Sequence, residues 1–205
     1  MMLMIKYLKR AKTRVLLFLM LNFYLIGTVS YCDETMDQKV IIARVQGGDG
    51  SAILELGKIK KPSTETLNYL KSLSKEDNKA FGSSAVYARM VLAKLGDKEC
   101  FSEVQKELLH GNPYEQTNAF EKLTYINGKN AIVLVAKFLN QEGQPMEKGP
   151  KDKVFFPPYS KLAVFGLSKM VEDPISKPNT IDDITQEDVN KWRQWWNENK
   201  TQYEQ

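Results

Sequence analysis

The sequence is poor in the residues that most often build metal and thiol chemistry. It contains one histidine, His110, and two cysteines, Cys32 and Cys100, among 205 residues. A histidine-based metal site needs further ligands at suitable spacing, and none accompany His110. Two cysteines cannot form a cysteine-rich scaffold, so burial of apolar side chains has to stabilise the fold. We therefore expect neither a metal nor a cofactor.

The few reactive side chains have structural explanations. His110 precedes Gly111 at the predicted end of a helix, which is typical of a side chain that interacts with terminal carbonyls or with the helix dipole. Cys100 lies near a helix start, where the dipole can lower the pKa of a thiol, but its apolar surroundings favour a buried residue. The acidic pairs at 182–183 and 187–188 are explained by helix capping. We identify no catalytic residue.

Basic residues are not clustered beyond the N-terminus. Removing residues 1–30 takes away five cations and no anions, so that 29 Lys and Arg against 25 Asp and Glu become 24 against 25. Binding to a phosphate backbone requires clustered cations that neutralise several phosphates. A nearly neutral chain without a Lys/Arg run therefore argues against a nucleic-acid partner.

The N-terminus has the order of an export signal. Five basic residues between Lys6 and Arg14 precede an apolar run from Val15 to Val29, and small residues follow. Three outcomes stay open: cleavage after Ser30, retention as an N-terminal anchor, or lipidation of Cys32. Each predicts an exported domain in the periplasm or cell envelope, with membrane contact only through this segment if it is retained or lipidated.

The next segment, residues 31–50, carries no clear periodicity, and we expect a flexible or irregular linker. Its stretch "KVIIARV" is compatible with a short strand or a helix, and "GGDG" at 47–50 is typical of a turn. Export permits a disulfide between Cys32 and Cys100. A bridge from a linker would stabilise little folded structure, so the pairing stays open.

A helical repeat follows, over about residues 51–200. An alanine is followed four residues later by a leucine and three residues after that by an aliphatic residue, which marks one face of a helix. The pattern occurs four times: at Ala52, Leu56 and Ile59; at Ala88, Leu92 and Leu95; at Ala119, Leu123 and Ile126; and at Ala163, Leu167 and Met170. Each occurrence is the first helix of a predicted pair.

A second apolar stripe follows each first helix. The stripes are Leu67, Leu70 and Leu73; Val104 and Leu108; Val135 and Leu139; and Val189, Trp192 and Trp196. Gly96, Gly111 and Asn127 stand where a left-handed cap ends a helix, and Pro113 suits a first turn. Thr185 with Asp188 resembles a capping box. The sequence therefore predicts an all-α fold, an α-α superhelix of about four antiparallel helix pairs.

These helix pairs resemble short HEAT-like repeats, of the kind found in bacterial proteins and in phycobilin lyase relatives. The resemblance rests on the Ala, Leu and Leu/Ile pattern, on the Gly or Asn-Gly turns and on the second amphipathic helix. The regular aromatic positions of TPR arrays are missing, and the repeat offsets of 36, 31 and 44 are not constant. The resemblance implies α-solenoid stacking.

Two aromatic regions are candidates for partner binding. The insertion at residues 141–159 carries Phe155, Phe156 and Tyr159, which either pack back onto the solenoid or anchor a partner. All three tryptophans lie between Trp192 and Trp196. Two of them are expected to close the last repeat, and Trp195 is the one expected to be partly exposed.

The sequence favours a non-catalytic protein-binding or scaffolding role in the cell envelope, with a protein partner. One alternative is an enzyme or enzyme accessory, which the resemblance to phycobilin lyase-type repeats implies. The absence of His, Cys or carboxylate residues at metal-ligand or nucleophile spacing counts against it. The other alternative is a purely structural envelope protein.

Overall fold

The computed structural model describes residues 37–76, 82–143 and 156–204, and within these ranges the chain forms helices and no strand. Helix α1 covers residues 37–46. A 3-10 turn at Gly50–Ala52 leads into α2, and another at Lys137–Asn140 extends α7. The remaining helices are α2 (Ile53–Leu56), α3 (Thr64–Ser74), α4 (Ser84–Lys94), α5 (Lys98–His110), α6 (Pro113–Ile126), α7 (Lys129–Ala136), α8 (Tyr159–Met170) and α9 (Gln186–Tyr203).

The helices form two layers. Helices α2, α4, α6 and α8 pack side by side in chain order and make the first layer. In the second layer, α3 packs against α4, α5 against α4 and α6, and α7 against α6 and α8, while α9 packs on α7 and α8. This arrangement confirms the predicted all-α superhelix.

The repeated apolar residues form the core between the layers. In the second, third and fourth pairs the alanine of the first-helix pattern and the leucine four residues after it are buried, whereas Leu95 is only partly buried. The second stripes are buried at Val104, Leu108, Val135 and Leu139 and again at Val189, Trp192 and Trp196. The small alanine allows helices of the first layer to approach each other, and the longer residues fill the remaining space.

The first pair departs from the prediction. Ala52 and Leu56 are buried, but α2 ends at Leu56, so Ile59 lies beyond the helix and is only partly buried. Gly57 ends α2 with an ordinary right-handed backbone. Its position is restricted by space, because a Cβ atom there would lie 2.0 Å from the hydroxyl oxygen of Tyr125.

The predicted linker over residues 31–50 is wrong for residues 37–46, which form α1. Ile41 and Val45 of this helix are buried in the core. Buried Gln38 accepts hydrogen bonds from the backbone N–H of Ser63 at 2.9 Å and from the hydroxyl of Thr66 at 2.7 Å. These bonds join α1 to the start of α3. The stretch "GGDG" at 47–50 forms the turn that follows α1.

The caps agree with the sequence except at Gly111. Gly96 and Asn127 have positive φ angles of 99° and 46°, as the left-handed cap requires. Gly111 is extended, with φ −71°; glycine is needed there because a Cβ atom would lie 2.4 Å from the carbonyl oxygen of Glu107. Pro113 begins α6, and Thr185 with Asp188 forms a reciprocal capping box at α9.

Predictions about the N-terminus lie outside the described residues. These are the signal segment at residues 1–30, the linker at residues 31–36 and the fate of Cys32, including its disulfide. Among the helices of residues 37–76, 82–143 and 156–204, none has both the length and the apolar character needed to span a bilayer.

Candidate functional site

Phe156 and Tyr159, two of the predicted partner anchors, pack against the solenoid. The ring of Phe156 is buried, with its centroid 4.9 Å from that of Tyr114 in an edge-to-face arrangement. The hydroxyl of Tyr159 donates a hydrogen bond of 2.5 Å to Gln116, and its ring lies beside Phe138. These contacts agree with the interpretation in which the insertion packs back. Phe155 lies outside the described residues.

The tryptophan cluster is placed as the helical phase predicts. Trp192 and Trp196 are buried at 0% and 9% exposure, and Trp195 is half-buried. The Trp195 ring contacts Trp192, Trp196 and Tyr203 at centroid distances of 5.2, 6.4 and 5.9 Å. Trp195 is therefore held in an aromatic cluster on the last helix of the solenoid and is partly exposed, as the sequence predicts.

The structure gives Cys100 no reactive character. Burial, followed by the nearby charge of Asp97, raises the pKa of its thiol to about 12. A thiol with such a pKa is protonated at neutral pH and is a poor nucleophile. His110 is exposed in the last turn of α5. Within the described parts of the chain, no three His, Cys, Asp or Glu residues form a group that could hold a metal ion.

A concave site lies between α6 and α8, and we call it the α6–α8 groove. The two helices run in parallel, because Tyr159 meets Gln116 near both helix starts and Gly166 faces Thr124 about two turns later. The groove has a volume of about 340 Å³. Its floor and walls are made mainly by Thr117, Phe120, Thr124, Leu162, Phe165 and Gly166.

Gly166 lies where α8 packs closely against α6. A Cβ atom at this position would lie 3.3 Å from the hydroxyl oxygen of Thr124 and 3.5 Å from a methyl group of Val135. The missing side chain lets α8 approach α6 closely. Phe120 and Leu162 are buried on either side, so the floor is apolar.

The two threonines on the α6 wall have no free hydroxyl proton to donate. The hydroxyl of Thr117 donates to the carbonyl of Pro113 at 2.9 Å, and that of Thr124 donates to the carbonyl of Phe120 at 2.8 Å. Each hydroxyl proton is therefore used within α6. The wall presents a surface that is less polar than its residue types suggest.

Two ionised side chains mark the rim. The ammonium of Lys169 lies 3.7 Å from the centroid of the Phe165 ring, in a cation–π contact. Glu121 is exposed on the facing helix. Neither side chain forms an ion pair within the described ranges, so both charges are available to a ligand.

Tyr125 and Ile181 close the far end of the groove. The Tyr125 hydroxyl donates a hydrogen bond of 2.7 Å to the carbonyl of Leu54, and burial raises the pKa of its phenol. Lys94 donates to the Tyr125 carbonyl at 2.8 Å and lies 4.5 Å from the ring centroid. Burial, and secondarily the charge of Lys58, lowers the pKa of Lys94. This end of the groove is held by contacts to neighbouring repeats.

The α6–α8 groove was not predicted from the sequence, because the candidate binding residues were placed in the insertion and at Trp195. One signal was present: Gly166 interrupts an otherwise helical pattern, which usually has a packing or functional reason. The spacing of Phe165 and Lys169 on one helix face was a second. Neither signal identifies the helix that lies opposite.

Comparison with known proteins gives no match: no protein-family model, curated protein or solved structure matches the chain.

Proposed function

We propose that this chain is a non-catalytic protein-binding or scaffolding protein of the HEAT-like repeat type, and that it binds its partner at the α6–α8 groove. The observation that carries the proposal is the groove itself, an apolar cleft with Lys169 and Glu121 at its rim, neither of which forms an ion pair with another described residue. Apolar clefts with a few polar groups at the rim are typical binding sites.

Binding is favoured over catalysis by the chemistry of the lining. The described residues that line the groove include no histidine, no cysteine and only one carboxylate, so they supply no nucleophile with an adjacent base. The threonine hydroxyls are used within α6, and the single tyrosine donates its proton to a carbonyl of another repeat. What remains is apolar surface with two charges that can orient a partner.

Site-specific photocrosslinking tests the site of binding. A benzophenone amino acid replaces Phe165 on the groove wall, and in a matched control it replaces Phe101, which is also half-buried and lies outside the groove. After irradiation in intact cells, we expect a defined protein adduct from position 165 alone, identified by mass spectrometry. Equal adducts from both positions, or none from either, would contradict the proposed function and would favour a purely structural role.

We further propose that the protein is exported and acts in the periplasm or cell envelope. The support is the basic, apolar and small-residue order of residues 1–31. Cell fractionation with antibodies against the repeat domain tests it. We expect the chain in the envelope or periplasmic fraction, and the full-length chain in the cytosol would overturn the proposal.

A further inference from the structure

The two charges at the rim of the α6–α8 groove lie toward opposite ends. Thr124 and Gly166 face each other. Glu121 is three residues before Thr124, and Lys169 is three residues after Gly166. At 1.5 Å per residue on parallel helices, the two charged residues are separated by about 9 Å along the groove. Phe165 lies between them, next to the contact of Thr124 with Gly166, and the buried Phe120 and Leu162 continue the apolar floor just beyond Glu121.

The groove does not suit an extended peptide. An extended chain needs partners for its backbone N–H and C=O groups, which a receptor supplies through a strand edge. The groove walls are helices whose backbone groups are bonded internally, and the two wall threonines are bonded to their own helix. A helical segment satisfies its own backbone and needs only an apolar face.

A single-charge amphiphile such as a fatty acid also fits less well. Its carboxylate has a partner in Lys169, but it carries no cation for Glu121. Both charges are matched by a helix that presents an apolar pair flanked by residues of opposite charge. Positions i and i+7 of such a helix are about 10.5 Å apart along its axis, close to the spacing of the two rim residues along the groove.

We propose that the α6–α8 groove binds an amphipathic helix of a partner protein, with apolar residues at i+3 and i+4 and opposite charges at i and i+7. The basic residue of the helix pairs with Glu121 and the acidic residue with Lys169. The inference rests on the proposed protein-binding function and specifies the class of segment that is bound. The order of the two charges fixes the direction of the bound helix.

A displayed library of single-helix peptides provides the probe. Positions i, i+3, i+4 and i+7 are randomised on an alanine-rich helical background. Peptides are then selected for binding to the purified full chain. We expect apolar residues at the two central positions and opposite charges at the outer two. The selected peptide is then synthesised, and its Kd is measured by fluorescence anisotropy.

Three variants of the protein test the charges. Lys169→Glu and Glu121→Lys should each weaken binding about tenfold, because an attraction becomes a repulsion. Replacing the acidic residue of the peptide with lysine should restore binding to Lys169→Glu. Lys137→Glu is the matched control, since Lys137 is exposed on the turn after α7 and does not line the groove; it should leave Kd unchanged.

Five outcomes would overturn the inference. These are failure to select any peptide, selection without a charge preference, equal effects of all three variants, tight binding of the fluorescent fatty acid cis-parinaric acid at the groove, or a dimer that Lys169→Glu dissociates. Crosslinking through position 165 is independent of these results. A specific protein adduct there, together with charge-insensitive peptides, would reject the helix and keep the proposed function.

Discussion

The hydroxyl of Tyr125 in the third repeat donates a hydrogen bond of 2.7 Å to the backbone carbonyl of Leu54 in the first repeat. The bond connects α6 to α2 through two residues that are 71 positions apart in sequence. Gly57 leaves room for the hydroxyl, and Lys94 lies over the ring. One side chain therefore joins three repeats at the end of the α6–α8 groove.

We expect Tyr125→Phe to lower the free energy of unfolding by about 1 kcal/mol, the net contribution of a typical hydrogen bond. Gly57→Ala should lower the free energy of unfolding by more than this, because the new methyl group would overlap the hydroxyl of Tyr125 and contact its ring. Urea denaturation measures both. Tyr87→Phe is the control, since no hydrogen bond joins the Tyr87 hydroxyl to another described residue. Equal losses at Tyr87 and Tyr125 would show that the bond to Leu54 contributes nothing.

The tryptophans of α9 should differ in their contribution to stability. Trp192 is fully buried, and its indole N–H donates to the Ser176 hydroxyl at 3.1 Å. Trp192→Ala and Trp196→Ala should each cost about 3 to 5 kcal/mol, and Trp195→Ala should cost less because half-buried Trp195 leaves a smaller cavity. Thermal or urea unfolding ranks the three. Equal losses at all positions would contradict the helical phase described above.

Much of the fold could be predicted because the repeat pattern reports burial directly. Ala88, Leu92, Ala119 and Leu123 recur at helical spacing, and all are buried. α1 could not be assigned in the same way, since its apolar run is short and compatible with either a strand or a helix. Its helical state depends on packing against the core and on the bonds of Gln38 to α3, which are tertiary contacts.

The candidate site was less predictable for a related reason. A groove exists only where two helices distant in sequence meet, and the facing of Thr124 and Gly166 cannot be derived from either segment alone. The polarity of the wall was also hidden, because sequence does not show that Thr117 and Thr124 donate to their own helix. Aromatic residues in the insertion were conspicuous in sequence, yet Phe156 is buried against Tyr114.

Phe156 and Tyr114 should be energetically coupled. Their edge-to-face contact predicts a coupling of about 0.5 to 1.5 kcal/mol between Phe156→Ala and Tyr114→Ala in a double-mutant cycle. Melting temperature should fall in Phe156→Ala. If Phe156 instead anchors a partner, the variant would keep its melting temperature and lose affinity for that partner, and the cycle would show no coupling.

The capping box of α9 should make stability depend on pH. Asp188 accepts hydrogen bonds from the hydroxyl and the backbone N–H of Thr185 at 2.6 and 3.0 Å. These bonds, with the hydroxyl contribution the larger, lower the pKa of the Asp188 carboxyl below its ordinary value of 3.8. The carboxylate is thus favoured more in the folded state than in the unfolded state.

The sign of the effect follows from this direction. A group whose pKa is lowered by folding stabilises the protein above its unfolded-state pKa, and this stabilisation is lost as the pH falls through the folded-state pKa. Asp188→Ala should therefore lower the free energy of unfolding by about 1 kcal/mol at pH 7, a typical loss for a helix cap. The difference in the free energy of unfolding between Asp188→Ala and the unsubstituted protein should become smaller below about pH 4. Urea titrations of both proteins between pH 7 and pH 2.5 measure it, and a difference that stays constant over this range would show that the charge of Asp188 does not contribute to the cap.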